Sequence, residues 1–196
     1  DNSSGIPQVY VAFKTRENSS FSQPLQISTN TPAYEPTISA VNDTFIIGWE
    51  AGNQLWLRTV NSKKQVGALI SISHSHARQL SPIKAPQGNF VAAWSEKDKK
   101  GYQIRVAELS LNNGIIKINN NQAVDRSVDR KDQLYPGVAV TEQGTVVGWE
   151  DRRHGATRIY TAFAPMGKAF EAYQLLNDFH YAQNRKYGRG TGAMRV

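Results

Sequence analysis

The sequence predicts an all-β protein assembled from repeated four-stranded antiparallel units, and three observations predict it. A tryptophan recurs at a nearly regular interval, as Trp49, Trp94 and Trp149. A proline (Pro36, Pro82 or Pro136) precedes each tryptophan by almost the same distance. Around these markers run short apolar segments of strand length, separated by polar turn residues.

Each element can be justified in chain order. A first strand follows the proline and ends at a polar turn: "VND", "PQGN" or "TEQG". The second strand is apolar on both faces and ends at the tryptophan ("FIIGW", "FVAAW", "TVVGW"), as expected of a strand buried between layers. The third alternates ("LWLRTV", "IRVAEL", "IYTAF"), as expected nearer an edge. A weaker fourth strand closes each unit ("ALISIS", "IIKIN", "YQLLN"). Four antiparallel strands per ~45 residues, repeated, describe the blades of a β-propeller.

The ends fit the same scheme. "QVYVAF" matches a third strand and "PLQIS" a fourth, so Val9, Leu55, Ile104 and Ile159 form one column and Val11, Leu57, Val106 and Thr161 the next. "GRGTGAMRV" stands where another first strand belongs. The expected organisation is one propeller domain over 1–196, with a partial blade at 1–30, whole blades at 31–76, 77–128 and 129–180, and a partial blade at 181–196. A composite blade made from the two ends would lack its tryptophan strand, and first and third strands run parallel. The expectation is therefore part of a larger propeller, with a four-bladed closure as the alternative.

Composition bounds the function classes. The chain has 196 residues, 39% hydrophobic and 20% charged, enough for one domain with a sizeable core. No apolar run approaches the ~18 residues that cross a bilayer as a helix. Cysteine is absent, which removes disulfides, thiolate catalysis and Cys-ligated metal. The net charge of +7 favours acidic partners in general, yet the basic residues are interleaved with Asp and Glu except in "NRKYGRGTGAMR". Nucleic acid is disfavoured, because the chain lacks the aromatic–basic clustering of a recognised module.

The run "YPGVAVTEQGTVVGWEDRRHGATRIYTAF" resembles a blade of the sialidase-like propeller superfamily. Exported bacterial proteins carry such repeats, with a Pro-led first strand and a W-x-D-x-R-x-G turn before an I-Y strand. The resemblance implies a secreted, periplasmic or cell-surface location. It brings no catalytic set, since the S-x-D-x-G-x-x-W box and the F-R-I-P-like strand are absent and no arginine, nucleophile or acid can be carried over.

Two readings of "TVVGWEDRRHG" compete. As a turn, Asp151 caps its own backbone, Gly155 takes a positive φ and Arg153 pairs with Asp151 or a neighbouring blade. As a site, it shares a face with the connectors between blades, where propeller ligands usually sit. The ligand-binding candidates on that face are Arg78, Arg130, Tyr135, Glu150, Asp151, Arg153, His154, Arg185, Tyr187 and Arg189. Arginine offers bidentate hydrogen bonds to anions and aromatic rings stack on sugars. His74 and His76 lie on one side of an extended segment but lack a third ligand nearby, so no metal or other cofactor is expected. Glu50, Glu96 and Glu150 recur at similar blade positions, which suits a blade feature more than an asymmetric glycosidase pair.

The expected function is a non-catalytic binding or scaffold propeller recognising a glycan or protein partner. The alternative is a sialidase-like glycoside hydrolase or lyase whose catalytic residues lie partly outside the chain. Nothing in the sequence specifies an oligomeric state.

Overall fold

A computed structural model describes residues 5–17, 19–84 and 88–176. Among these the chain is all-β, in blades of propeller type. Strands β1 (Tyr10–Val11) and β2 (Leu25–Gln26) pair as a two-stranded antiparallel sheet. The first blade is β3 (Tyr34–Val41), β4 (Thr44–Ala51), β5 (Gln54–Asn61) and β6 (Ile70–Ser71). The second is β7 (Ala77–Lys84), β8 (Phe90–Asp98), β9 (Gly101–Asn112) and β10 (Ile115–Ala123). The third is β11 (Gln133–Val140), β12 (Gly144–Asp151), β13 (Arg158–Pro165) and β14 (Gln174–Leu175). Each blade follows chain order with antiparallel pairing, and β3 packs on β7 and β7 on β11, so the first strands are innermost.

The hydrophobic pattern explains the layering. The second strands of the first two blades are buried on both faces because a neighbouring sheet lies on each side, and β12 is buried toward the second blade; Ile46, Ala92, Trp94, Val147 and Trp149 are inaccessible to solvent. Three apolar layers result. Trp49 lies between the two-stranded sheet and the first blade, with Val9 and Ile27. Trp94 lies between the first and second blades, with Leu55, Leu57 and Ile72. Trp149 lies between the second and third, with Ile104, Val106 and Val124. Each tryptophan thus faces the preceding blade. Truncating such a residue to alanine costs about 3–5 kcal/mol.

The predicted columns take physical form in the backbone. The carbonyls of Val9, Leu55, Ile104 and Ile159 accept the amides of Ile27, Ile72, Val124 and Leu176, respectively, at 2.9–3.1 Å. The prolines, however, do not share one column. Thr37, Ser81 and Gly137 are equivalent by their pairing with Gly48, Ala93 and Gly148, so Pro36 and Pro136 match Leu80, and Pro82 falls further along its strand. What recurs is a bulge with a left-handed residue: Glu35 (φ +48°), Gln79 (φ +61°) and Tyr135 (φ +55°). The "IIKIN" segment also differs, since its strand runs on to Ala123 as an extended hairpin with β9.

Candidate functional site

The turn after Trp149 closes around a buried ion cluster. Asp151 is 1% exposed. Its Oδ1 accepts the Arg153 backbone N–H and Nε–H, both at 2.9 Å, and its Oδ2 accepts the indole N–H of Trp149 at 3.1 Å. Arg153 reaches Asp151 Oδ2 again at 2.6 Å and ion-pairs with Asp125 at the end of the second blade. The amide of Gln133 donates to both carboxylates, at 2.8 Å to Asp125 and 3.1 Å to Asp151. The Arg153 guanidinium also sits over the rings of Tyr173 and Tyr160, at 4.2 and 4.9 Å. Burial alone would raise the Asp151 carboxyl, but the hydrogen bonds from Arg153, Trp149 and Gln133 hold it below the usual value of 3.8. Burial opposes the charge on Arg153, and its bonds to Asp151 and Asp125 more than offset this and raise it. Gly155 takes φ +84°. The cluster has the geometry of a cap that also joins two blades.

A second set of bonds runs along the inner strands. Glu50 Oε1 accepts the backbone N–H of Gln79, the left-handed residue of the next blade, at 2.6 Å. Gln79 Oε1 in turn accepts the backbone N–H of Tyr135, the left-handed residue of the blade after, at 2.8 Å, and the hydroxyl of Ser95 at the same distance. Ser95 is the register equivalent of Glu50 and Glu150, whereas Glu96 matches Asp151. Glu96 accordingly accepts the Trp94 indole N–H at 2.8 Å, as Asp151 does for Trp149.

Around these bonds the inner mouth exposes Tyr34 (52%) and Tyr135 (37%), with Glu35 solvent-exposed and Glu50 half-buried. Burial raises the Glu50 carboxyl, opposed by the Gln79 amide; Glu35 raises it further and Arg78 lowers it. Burial likewise raises Glu150, opposed by Arg152. Arg78 stacks on Tyr102 at 4.0 Å, and its buried Nε has no hydrogen-bond partner. Arg130 pairs with Asp98, with a buried Nη1 that lacks a partner. His154 and His74 are exposed, and among the described residues no group of three or more His, Cys, Asp or Glu is placed to hold a metal. Arg185, Tyr187 and Arg189 lie outside the described residues.

The structure therefore splits the sequence candidates. Asp151 and Arg153 share a buried ion pair, Arg130 is paired with the exposed Asp98, Arg78 and Tyr135 flank the inner mouth, and His154 stands apart in solvent. Tyr34, Glu35, Gln79, Asp125 and Gln133 were not sequence candidates. The signal for Asp125 was its place in the column of Ser28 and Ser73; no local signal marks the left-handed residues.

No protein-family model matches the chain, and no curated protein matches it. Solved structures do. An endo-1,4-β-xylanase from Bacteroides thetaiotaomicron superposes with a TM-score of 0.50 at 14% identity, over 77% of this chain and 57% of that one. An endo-arabinase from the same organism gives 0.49 at 10%, over 81% and 68%. A Bombyx mori β-fructofuranosidase gives 0.48 at 12%, over 86% and 44%. The chain thus spans little more than half the xylanase structure. At these identities the likeness is one of fold.

Proposed function

We propose that the chain forms part of a larger, exported propeller that binds a glycan at the mouth of its inner strands without cleaving it. The observation that carries this reading is the set of exposed rings and carboxylate on the inner strands of the first and third blades: Tyr34 and Glu35 on β3, and Tyr135 on β11. Aromatic faces stack on sugar rings and carboxylates accept hydrogen bonds from their hydroxyls. The arginines support a neutral sugar over an anionic one, because Arg130 and Arg153 already have carboxylate partners. The likeness in fold to a xylanase supports a saccharide as ligand class, and the sialidase-like repeat supports export.

A glycan array at physiological salt tests this reading. Selective binding to neutral saccharides, lost in Tyr34→Ala and Tyr135→Ala with the fold retained, is expected. Binding to nothing, or to every polyanion at low salt alone, would exclude it.

The second reading is a glycoside hydrolase, favoured by one observation. Glu50 carries a carboxyl raised by burial with the exposed Glu35 acting on it, the asymmetry that acid–base pairs need. Turnover of a neutral glycoside panel, abolished by Glu50→Gln with binding intact, would establish it.

A further inference from the structure

One guanidinium at the inner mouth has no acid of its own. The residue before each left-handed position is Tyr34 on β3, Arg78 on β7 and Leu134 on β11. In register these three pair with Glu50, Ser95 and Glu150. The arginine thus stands across from the blade position that carries a hydroxyl in place of a carboxylate. Ser95 donates that hydroxyl to Gln79 Oε1 at 2.8 Å. Arg78 stacks on Tyr102 at 4.0 Å, and among the described residues its guanidinium forms no salt bridge and no hydrogen bond. Of its three nitrogens only Nε is buried, so both Nη groups stay open with their donors unused. Arg130 and Arg153, by contrast, are paired with carboxylates.

The place of Arg78 connects it to the two rings. β7 packs on β3, which carries Tyr34, and on β11, which carries Tyr135. The next residue, Gln79, accepts the Tyr135 amide and donates its own amide to Glu50, the register partner of Tyr34. The local charge then selects the chemistry of a ligand. Glu50 lies within electrostatic reach of both Arg78 and Glu35, so the cation is already offset although its donors are free. A ligand carboxylate at Arg78 would meet two like charges, whereas uncharged oxygens would take the donors without that opposition. Neighbouring hydroxyl and ring oxygens of a sugar offer a pair of acceptors to the planar fork.

We infer that Arg78 determines specificity at this mouth, its Nη groups donating to two neighbouring oxygens of a neutral saccharide whose ring stacks on Tyr34 or Tyr135. The inference rests on the glycan reading above and deepens it. The rings accept many sugar faces; the fork selects among them by the arrangement of their oxygens.

The whole chain is tested on an array of xylo-, gluco-, manno- and galacto-oligosaccharides with their uronate counterparts, at physiological salt. Tyr34→Ala and Tyr135→Ala should weaken every bound neutral saccharide alike. Arg78→Ala should weaken some by about tenfold and others hardly, so that the order of preference changes. Arg78→Lys should not restore the wild-type order, because a single ammonium lacks the fork. Should Arg78→Ala fail to fold in thermal unfolding, Arg78→Lys decides, since it keeps a cation over Tyr102. A wild-type order in either Arg78 variant, with Tyr34→Ala weakened throughout, would overturn this inference and leave the glycan reading standing. Binding confined to uronate-bearing saccharides would overturn it through the charge argument. A wild type that binds no saccharide would remove both.

Discussion

Asp125, where the second blade's outer strand ends, is ion-paired with Arg153 in the turn of the third blade, and both side chains are 1% exposed. The pair therefore ties two blades together at the end where their connector crosses. Gln133, the first residue of β11, fastens the same joint by donating to Asp125 and accepting the Ile104 amide at 3.2 Å.

Removing Arg153 leaves two buried carboxylates without a cation, and Arg153→Ala is expected to destabilise the chain by about 3–5 kcal/mol in denaturant unfolding. Asp125→Ala should cost less, because Arg153 keeps its pairing with Asp151. Arg153→Lys should recover little, because an ammonium cannot reproduce the forked contacts to two carboxylates. A double-mutant cycle should show strong coupling; additivity would contradict the joint.

Acid should act through Asp151. Its folded carboxyl lies below the usual 3.8, so the stability it contributes is present above that value and is lost as pH falls through the lower, folded one. Urea midpoints measured between pH 5 and pH 2 should fall more steeply for the wild type than for Asp151→Asn.

Glu150 has the opposite sign. Burial raises its carboxyl above 4.5, so its contribution is fully present below 4.5 and lost as pH rises through the folded value. The stability of Glu150→Gln relative to wild type should therefore improve between pH 4 and pH 7. A difference that stays constant with pH would count against this.

The left-handed residues separate backbone strain from bonding. Glu35 has no side-chain hydrogen bond to another blade among the described residues, so Glu35→Gly should relieve its positive φ and stabilise by about 1 kcal/mol. Gln79→Gly relieves the same strain but removes the acceptor for Tyr135 and Ser95, and should destabilise on balance. Thermal unfolding of the two variants should move in opposite directions.

Two glycines should differ in kind. A Cβ at Gly144 would fall on the carbonyl oxygen of Ala164, backbone that cannot yield, whereas one at Gly48 would meet the movable ends of Leu80 and Leu57. Gly48→Ala should cost about 1–3 kcal/mol by overpacking and Gly144→Ala more, compared by chemical denaturation.

How much of this was legible in the sequence follows from the range of each interaction. The strands and their columns were, because alternation and the recurring tryptophan are local signals repeated in every blade. The proline column misled, because the path from Ser81 to its partner Ala93, through the connection between β7 and β8, is one residue longer than its counterparts, so a similar distance from Trp94 puts Pro82 in a different register. The Asp151 turn was half legible. Its own cap follows from Asp and Gly at short spacing, while Asp125 arrives from another blade and Gln133 from another strand, and no local pattern selects them. The same holds for the inner mouth, where Tyr34 and Tyr135 are brought near one set of bonds only by stacking of blades.

The placement of the tryptophans gives the protein an optical readout of its own assembly. Trp49, Trp94 and Trp149 each report on a different seam, so replacing Trp56 and two of these three by phenylalanine would leave emission that follows a single joint. In a repeat array, where each unit touches only its neighbours, the seams need not open together. Their separate transitions would show from which end the array comes apart.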